Sequence, residues 1–179
     1  MKLFDRYDLD VEVKDPGLVR YVVLEPSIHT GARYADAPEK VGIIERLIND
    51  LMRTEHYTGK KIGAYKVVKG AFALIQQKTK QNPLQALVDA LQHTAPKEEA
   101  TRLRFGGISV PKAVDTSPQR RLNTALALIT EGAVRASHKN KKSIVACLAD
   151  EIITASKGDV SSYAVSKKEQ IERVARSAR

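Results

Sequence analysis

Apolar residues recur at three- and four-residue steps through most of this chain, the period of helices that bury one face. Val41, Ile44, Leu47, Ile48 and Leu51 predict a first helix over 39–54. Pro38 opens it, at a position where its missing N–H has no helical partner. The loop His56-Tyr57-Thr58-Gly59 ends it, and a second helix follows over 60–79. Ile62, Tyr65, Val68, Phe72 and Ile75 form its core stripe, with Lys61, Lys66, Lys69 and Lys80 away from that stripe. Asn82 as N-cap and Pro83 at the first helical position start a third helix, buried through Leu84, Leu87, Val88 and Leu91 and stopped by Pro96. Asp115-Thr116-Ser117-Pro118 starts a fourth, running to about 139, with Leu122, Ala125, Leu126, Ile129 and Ala133 inward. A fifth covers 142–157, buries Ile144, Cys147, Leu148 and Ile152, and is capped by Gly158. Ser166-Lys167-Lys168-Glu169 has the capping-box pattern and predicts a last helix with small apolar positions, Ile171, Val174, Ala175 and Ala178.

Between the third and fourth helices the period changes to two. Thr101, Leu103 and Phe105 alternate with Arg102 and Arg104, and Ile108 and Val110 continue the alternation beyond Gly106-Gly107. A glycine pair between alternating runs is a hairpin signal, because primed turns need positive φ. A two-stranded hairpin is marginal alone in water, so it packs on helices or is an arm ordered by a partner. Its arginines make that partner anionic. Residues 1–37 have no helical period. Arg20 to Leu24 is a short candidate strand, and the rest reads as an extended arm lying on the body or on a partner. The expected fold is mainly α: a six-helix, bundle-like body over 38–179, a protruding β-hairpin arm at about 99–114 between the third and fourth helices, and an N-terminal extension over 1–37.

Charge sharpens this. The chain has 179 residues with 30 Lys plus Arg against 21 Asp plus Glu, net +9. The excess is uneven: −2 over 1–37, +5 over 38–97, +5 over 98–142 and +1 over 143–179. A concentration in the middle and around the hairpin is the footprint of a nucleic-acid binder. Lys139, Lys141 and Lys142 surround Asn140 in one interhelical link, where like charges repel unless an anion lies against them. Arg120 and Arg121 sit in a first helical turn, where the dipole disfavours each by roughly 0.3–1 kcal/mol.

Catalytic and metal chemistry find no support. His29, His56, His93 and His138 are scattered, and one cysteine, Cys147, builds neither a disulfide nor a thiolate site. Gly106-Gly107 is followed by no Gly-Lys-Ser/Thr. Asp150 and Glu151 are adjacent, so they point about 100° apart on a helix and read as a solvated face. No signal-peptide pattern and no apolar run near the ~20 residues of a membrane span is present. The residues alone predict a soluble, intracellular helical protein that binds nucleic acid through its backbone; a DNA- or RNA-binding regulatory factor is the alternative, and it would need sequence-reading contacts.

Several segments carry a resemblance: IIERLINDLM (43–52), GKK (59–61), NPLQALVDAL (82–91), TRLRFGG (101–107), AVDTSPQRRLN (113–123), CLADEIITASKG (147–158) and SYAVSKKEQIERVARSAR (162–179). In this order they resemble the small-subunit ribosomal protein seven family, in its archaeal and eukaryotic form. The resemblance implies a non-enzymatic cytoplasmic protein, without cofactor or metal, monomeric within the ribosome and away from membranes. It implies binding to the 3′ major domain of small-subunit rRNA, a part in head assembly beside neighbouring head proteins, and a place near exit-site tRNA and mRNA. Carried over, the RNA-facing residues are Lys60, Lys61, Arg102, Arg104, Lys112, Arg120, Arg121, Arg135, Lys142, Lys167 and Lys168, joined by Lys139 and Lys141 of the lysine link. Arg104, Phe105, Gly106, Gly107, Arg176 and Arg179 are those near exit-site tRNA and mRNA. The chain departs from the family in having fewer arginines at 103–105 and an acidic N-terminal arm.

Overall fold

Asn82 and Pro83 begin a helix as their chemistry requires: the Asn82 Oδ1 accepts the Leu84 N–H at 3.1 Å, and Pro83 occupies the first turn. The computed structural model describes residues 2–4, 6–25, 28, 41–54 and 58–179, the side chain of Phe105 excepted. Pro38, His29, His56 and Tyr57 therefore lie outside the described residues. In chain order the elements are α1 (Pro16–Val19), α2 (Ile43–Met52), α3 (Lys61–Thr79), α4 (Pro83–Thr94), β1 (Glu98–Phe105), β2 (Ile108–Asp115), α5 (Pro118–Ser137), α6 (Ile144–Ser156) and α7 (Tyr163–Ser177). The fold is mainly α, with one antiparallel hairpin between α4 and α5. The six expected helices are present, and one-turn α1 is added to them.

The most apolar helix, α6, is the hub against which α3, α4, α5 and α7 pack. Leu148, Ala149, Ile152 and Ala155 are buried there, and the alanines let neighbouring helices come close. A Cβ on Gly70 of α3 would meet Val145 of α6 at 3.0 Å, so that crossing is set by the missing side chain. Leu84, Leu87, Val88 and Leu91 of α4 and Leu122, Ala125, Leu126, Ile129 and Ala133 of α5 complete the core, as their spacing predicts. In α3 the phase differs from expectation. Ala64, Val67, Val68, Ala71, Phe72 and Ile75 are buried, while Ile62 is 63% exposed. Small Ala64 and Ala71 belong to the inward stripe, which turns Ile62 out.

The N-terminal segment is docked on the body. Leu3, Tyr7, Leu18 and Val22 are buried, and Phe4 lies edge-on to Tyr65 and Phe72, at 5.5 and 5.9 Å between ring centres. Two glutamines of α4, two turns apart, hold its backbone. Gln85 Oε1 accepts the Glu12 N–H at 3.0 Å, and Gln92 Oε1 accepts those of Lys14 and Asp15 at 3.0 and 3.1 Å. The strand expected at 20–24 is not formed. Arg20 and Tyr21 turn the chain, the Leu18 carbonyl accepts from Tyr21 and Val22, and among the described residues no strand edge is offered there.

The last helix also starts earlier than expected. Ser162, not Ser166, is the N-cap of α7. Glu151 of α6 completes that cap: its Oε1 accepts from Ser162 Oγ at 2.8 Å and from the Ala164 N–H at 3.0 Å. Glu151 is thus a structural capping group rather than a solvated face. Asp150 is half-buried and pairs with Lys78.

Candidate nucleic-acid interface

The strands pair from Glu98 with Asp115 to Phe105 with Ile108, leaving Gly106-Gly107 as a two-residue turn at φ +54° and +87°. A turn with both central φ positive matches the right-handed twist of a hairpin, which glycine reaches without strain. Facing partners share a side of the ladder. Arg104 with Ser109 and Arg102 with Pro111 make a polar side; Leu103 with Val110 lies on the other. Both arginines and Lys112 are exposed, and among the described residues none has a carboxylate partner. Ile108, 69% exposed, shows that the tip has left the body.

The base of the hairpin, by contrast, is fastened. Ala113 N–H donates to the Ala178 carbonyl at 3.3 Å, Thr116 N–H to that of Lys97 at 2.9 Å, and Lys97 N–H to Glu172 Oε1 at 3.2 Å. Arg179 pairs with Glu98, and Arg120 Nε donates to Glu99 Oε2 at 2.9 Å. Arg120 and Arg179 keep most of their side chains in solvent, 63% and 62%, so each retains donors for a further anion. Arg176 is exposed on α7.

Not every basic residue in the expected set faces outward. Arg121 is buried, and its Nη2 donates to Asp15 Oδ2 at 2.7 Å. Burial opposes ionisation of Asp15, but the hydrogen bonds from Arg121 and Gly17, with the charges of Arg121 and Lys97, outweigh it and hold the carboxyl below its ordinary range. Lys61 leans on buried Glu45 at 2.7 Å, its own side chain 17% exposed. Lys60 is exposed. The structure joins Lys61 and Arg121 to acids elsewhere in the chain, and sequence spacing carries no sign of either pair.

A second group gathers at the start of α7. The Tyr163 ring lies beneath Arg135, 4.9 Å from the guanidinium carbon, and Lys167, 5.7 Å from its Nζ. Arg135 also pairs with Glu131 at 2.6 Å, and Lys168 with Glu172 at 3.3 Å. Between α5 and α6, Lys139, Lys141 and Lys142 are all exposed, and Lys139 has φ +53°. Lys142 reaches Asp150 only at 4.0 Å. The lysine link and the α7 group adjoin, since Asn140 and Lys142 line one cavity with Ser161, whereas the hairpin arginines are carried out on the arm. Among the described residues no group of three or more His, Cys, Asp or Glu could hold a metal ion, and no helix is long and apolar enough to cross a membrane.

Residues 18–179 match the family model described as ribosomal protein S7p/S5e. The chain is 56% identical to the small ribosomal subunit protein uS7 of Thermoplasma volcanium, covering 99% of this chain and 100% of the relative. It is 54% identical to that of Archaeoglobus fulgidus over 99% and 94%, and 51% identical to that of Methanothrix thermoacetophila over 100% of both. A match over nine-tenths of the chain, with relatives more than half identical along their length, means that the chain belongs to the ribosomal protein S7p/S5e family and is a structural protein, not an enzyme.

Proposed function

We propose that the protein is built into the head of the small ribosomal subunit, binds the 3′ major domain of its rRNA, and carries the hairpin toward exit-site tRNA and the mRNA path. One observation carries the reading: exposed cations stand on a fastened arm and on a separate loop, and of Arg102, Arg104, Lys112, Lys139, Lys141 and Lys142 only Lys142 has a carboxylate partner among the described residues, Asp150 at 4.0 Å. Arg102, Arg104 and Lys112 on the hairpin, Arg120 at its root, and Lys139, Lys141 and Lys142 on the loop meet phosphate oxygens. Lys60, Arg135, Lys167 and Lys168 add contacts around α3 and α7. Lys61 and Arg121 serve from within, holding α2 and the N-terminal segment in place. Gly106 and Gly107 let the tip approach another backbone closely, and Arg104, Arg176 and Arg179 are assigned to tRNA and mRNA together with position Phe105, whose side chain lies outside the described residues. The protein acts in the cytoplasm as a single copy per ribosome, beside other head proteins, with no cofactor. Phosphate neutralisation releases counterions, so affinity must fall with salt. The test is binding to a transcript of the 3′ major domain across a salt series. With about 6–10 phosphates neutralised, log affinity falls against log salt with a slope near −5 to −9. A slope shallower than about −2 overturns the reading.

A further inference from the structure

Helix α3 carries Lys61, Lys66, Lys69 and Lys78 and no carboxylate. Two of these lysines turn sideways onto neighbouring helices, Lys61 to Glu45 of α2 and Lys78 to Asp150 of α6. The outward line that remains is Ile62, Lys66, Lys69, Ala73 and Gln76, all within about 40° of one direction on a helix that turns about 100° per residue. It leads to Lys80 at the C-cap. Lys66, Lys69, Gln76 and Lys80 are exposed, and among the described residues none of these three lysines has a carboxylate partner. From Lys66 to Lys80 the line is about 21 Å long at 1.5 Å per residue.

Two features anchor it. Lys69 Nζ lies over the Phe4 ring, 5.9 Å from its centre, so the docked N-terminal segment borders one side. On the other side α6 meets α3 at Gly70, next to Lys69, through Val145. Lys78 of α3 and Lys142 of the loop both reach the Asp150 carboxylate of α6, at 2.5 and 4.0 Å, so the loop of Lys139, Lys141 and Lys142 adjoins α3 on that side. The hairpin packs on α7, whereas α3 packs on α2, α4 and α6, which makes the two surfaces separate.

We propose that the outward face of α3, with the adjoining lysine loop, is a second RNA-backbone contact, independent of the hairpin. This rests on the rRNA-binding reading above and adds a place and residues to it. The chemistry is that of phosphate: point charges on flexible stems, with no guanidinium fork for base edges. The line also lacks the Trp, Tyr or Arg anchor on which protein interfaces centre. Lysine contacts to phosphate fix position and carry no sequence information.

The experiment uses the full chain and a transcript of the 3′ major domain of archaeal small-subunit rRNA. K66Q/K69Q/K80Q is compared with wild type, with R102Q/R104Q, and with K2Q/K14Q/K157Q, which removes the same charge elsewhere. All six lysines are exposed, so folding is retained and is checked by circular dichroism. The α3 variant is expected to lose about 2–3 from the magnitude of the salt slope, at about 0.9 per phosphate contact, and at least tenfold in affinity at physiological salt. Hydroxyl-radical protection is expected to disappear from an RNA segment different from the one lost in the hairpin variant. An α3 variant that behaves like the charge-matched control overturns the proposal and leaves this face to an acidic protein surface, while a steep wild-type slope keeps the rRNA reading intact. A shallow wild-type slope overturns both, and is told apart because it precedes any substitution.

Discussion

Asp15 and Arg121 stand 106 positions apart in sequence, yet Arg121 Nη2 donates to Asp15 Oδ2 at 2.7 Å. With 10% of its side chain exposed, Arg121 is a clamp between the N-terminal segment and α5. Substituting Asp15→Asn is expected to lower stability by about 1–3 kcal/mol at neutral pH, because it leaves a buried guanidinium without its anion. The folded-state pKa of Asp15 is lowered. Its stabilisation is therefore complete above the unfolded value, about 3.9, and is lost as pH falls through the lower folded value. Urea denaturation from pH 7 into acid should show the difference between wild type and variant shrinking toward zero; a constant difference would mean that the contact is not ionic.

The two adjacent arginines should separate in behaviour. Arg121→Ala is expected to cost stability and change the RNA salt slope little. Arg120→Ala, on a side chain 63% exposed, is expected to leave stability within about 0.5 kcal/mol and to reduce the slope by about 0.9. Paired denaturation and RNA-binding titrations measure both, and a slope change confined to Arg121→Ala would reverse the assignment.

Glu151 supplies a cap from outside the helix it caps. Glu151→Ala leaves the buried Ser162 hydroxyl and the Ala164 N–H without their acceptor, with an expected loss of about 1–3 kcal/mol. Ser162→Ala alone is expected to lose about 1 kcal/mol. The double variant should be less unstable than the sum, since both act on one cap. Additive losses would place the effect of Glu151 elsewhere, and native-state amide exchange in the first turn of α7 should accelerate in each variant.

Replacing 102–109 by a short Gly-Ser turn is expected to leave the fold intact, because the fastening bonds join Lys97, Glu98, Ala113 and Thr116, outside the exchanged stretch. RNA binding should weaken by about 1–3 kcal/mol through the two lost arginine contacts. In reconstituted subunits, retention of deacylated tRNA should fall at the exit site more than at the other sites. Unfolding of the shortened protein would make the hairpin part of the core, and unchanged exit-site retention would limit the arm to rRNA.

Cys147 is 4% exposed, and burial pushes its thiol above the usual range, against the opposing charge of Lys142. Labelling by a thiol reagent in the native protein should be slow at pH 7 and become rapid only in denaturant. Rapid native labelling would show that α6 does not face the core as described.

Local chemistry made much of this legible beforehand. Asn82-Pro83 and Gly106-Gly107 carry their own backbone instructions, and the apolar periods of α4 and α5 name the buried residues directly. Ser166 misled because the local capping-box pattern lacks the decisive partner: the Ser162 cap is completed by Glu151, which lies on another helix. Ile62 misled because large apolar residues set the assumed phase of α3, while the core selected small Ala64 and Ala71 for close packing. The fates of Lys61 and Arg121 depend on Glu45 and Asp15, and a contact across the fold has no period. The sequence showed which segments carry the positive charge, but which cations are held internally, as Lys61 and Arg121 are, was not legible in it.

The fastening of the hairpin base to α7 has a dynamic consequence. Opening α7 removes the acceptor of Ala113 and the acceptor of Lys97 together, and separates Arg179 from Glu98. Arm and helix therefore share one local unfolding event, with a free energy below that of the α6-centred core. Amides of β2 near Ala113 and of the last turn of α7 should exchange in step. A molecule that grips the C-terminal turn of α7 thereby also stiffens the hairpin root beneath Arg102 and Arg104, so order at one end of this unit is transmitted to the other without any contact at the tip.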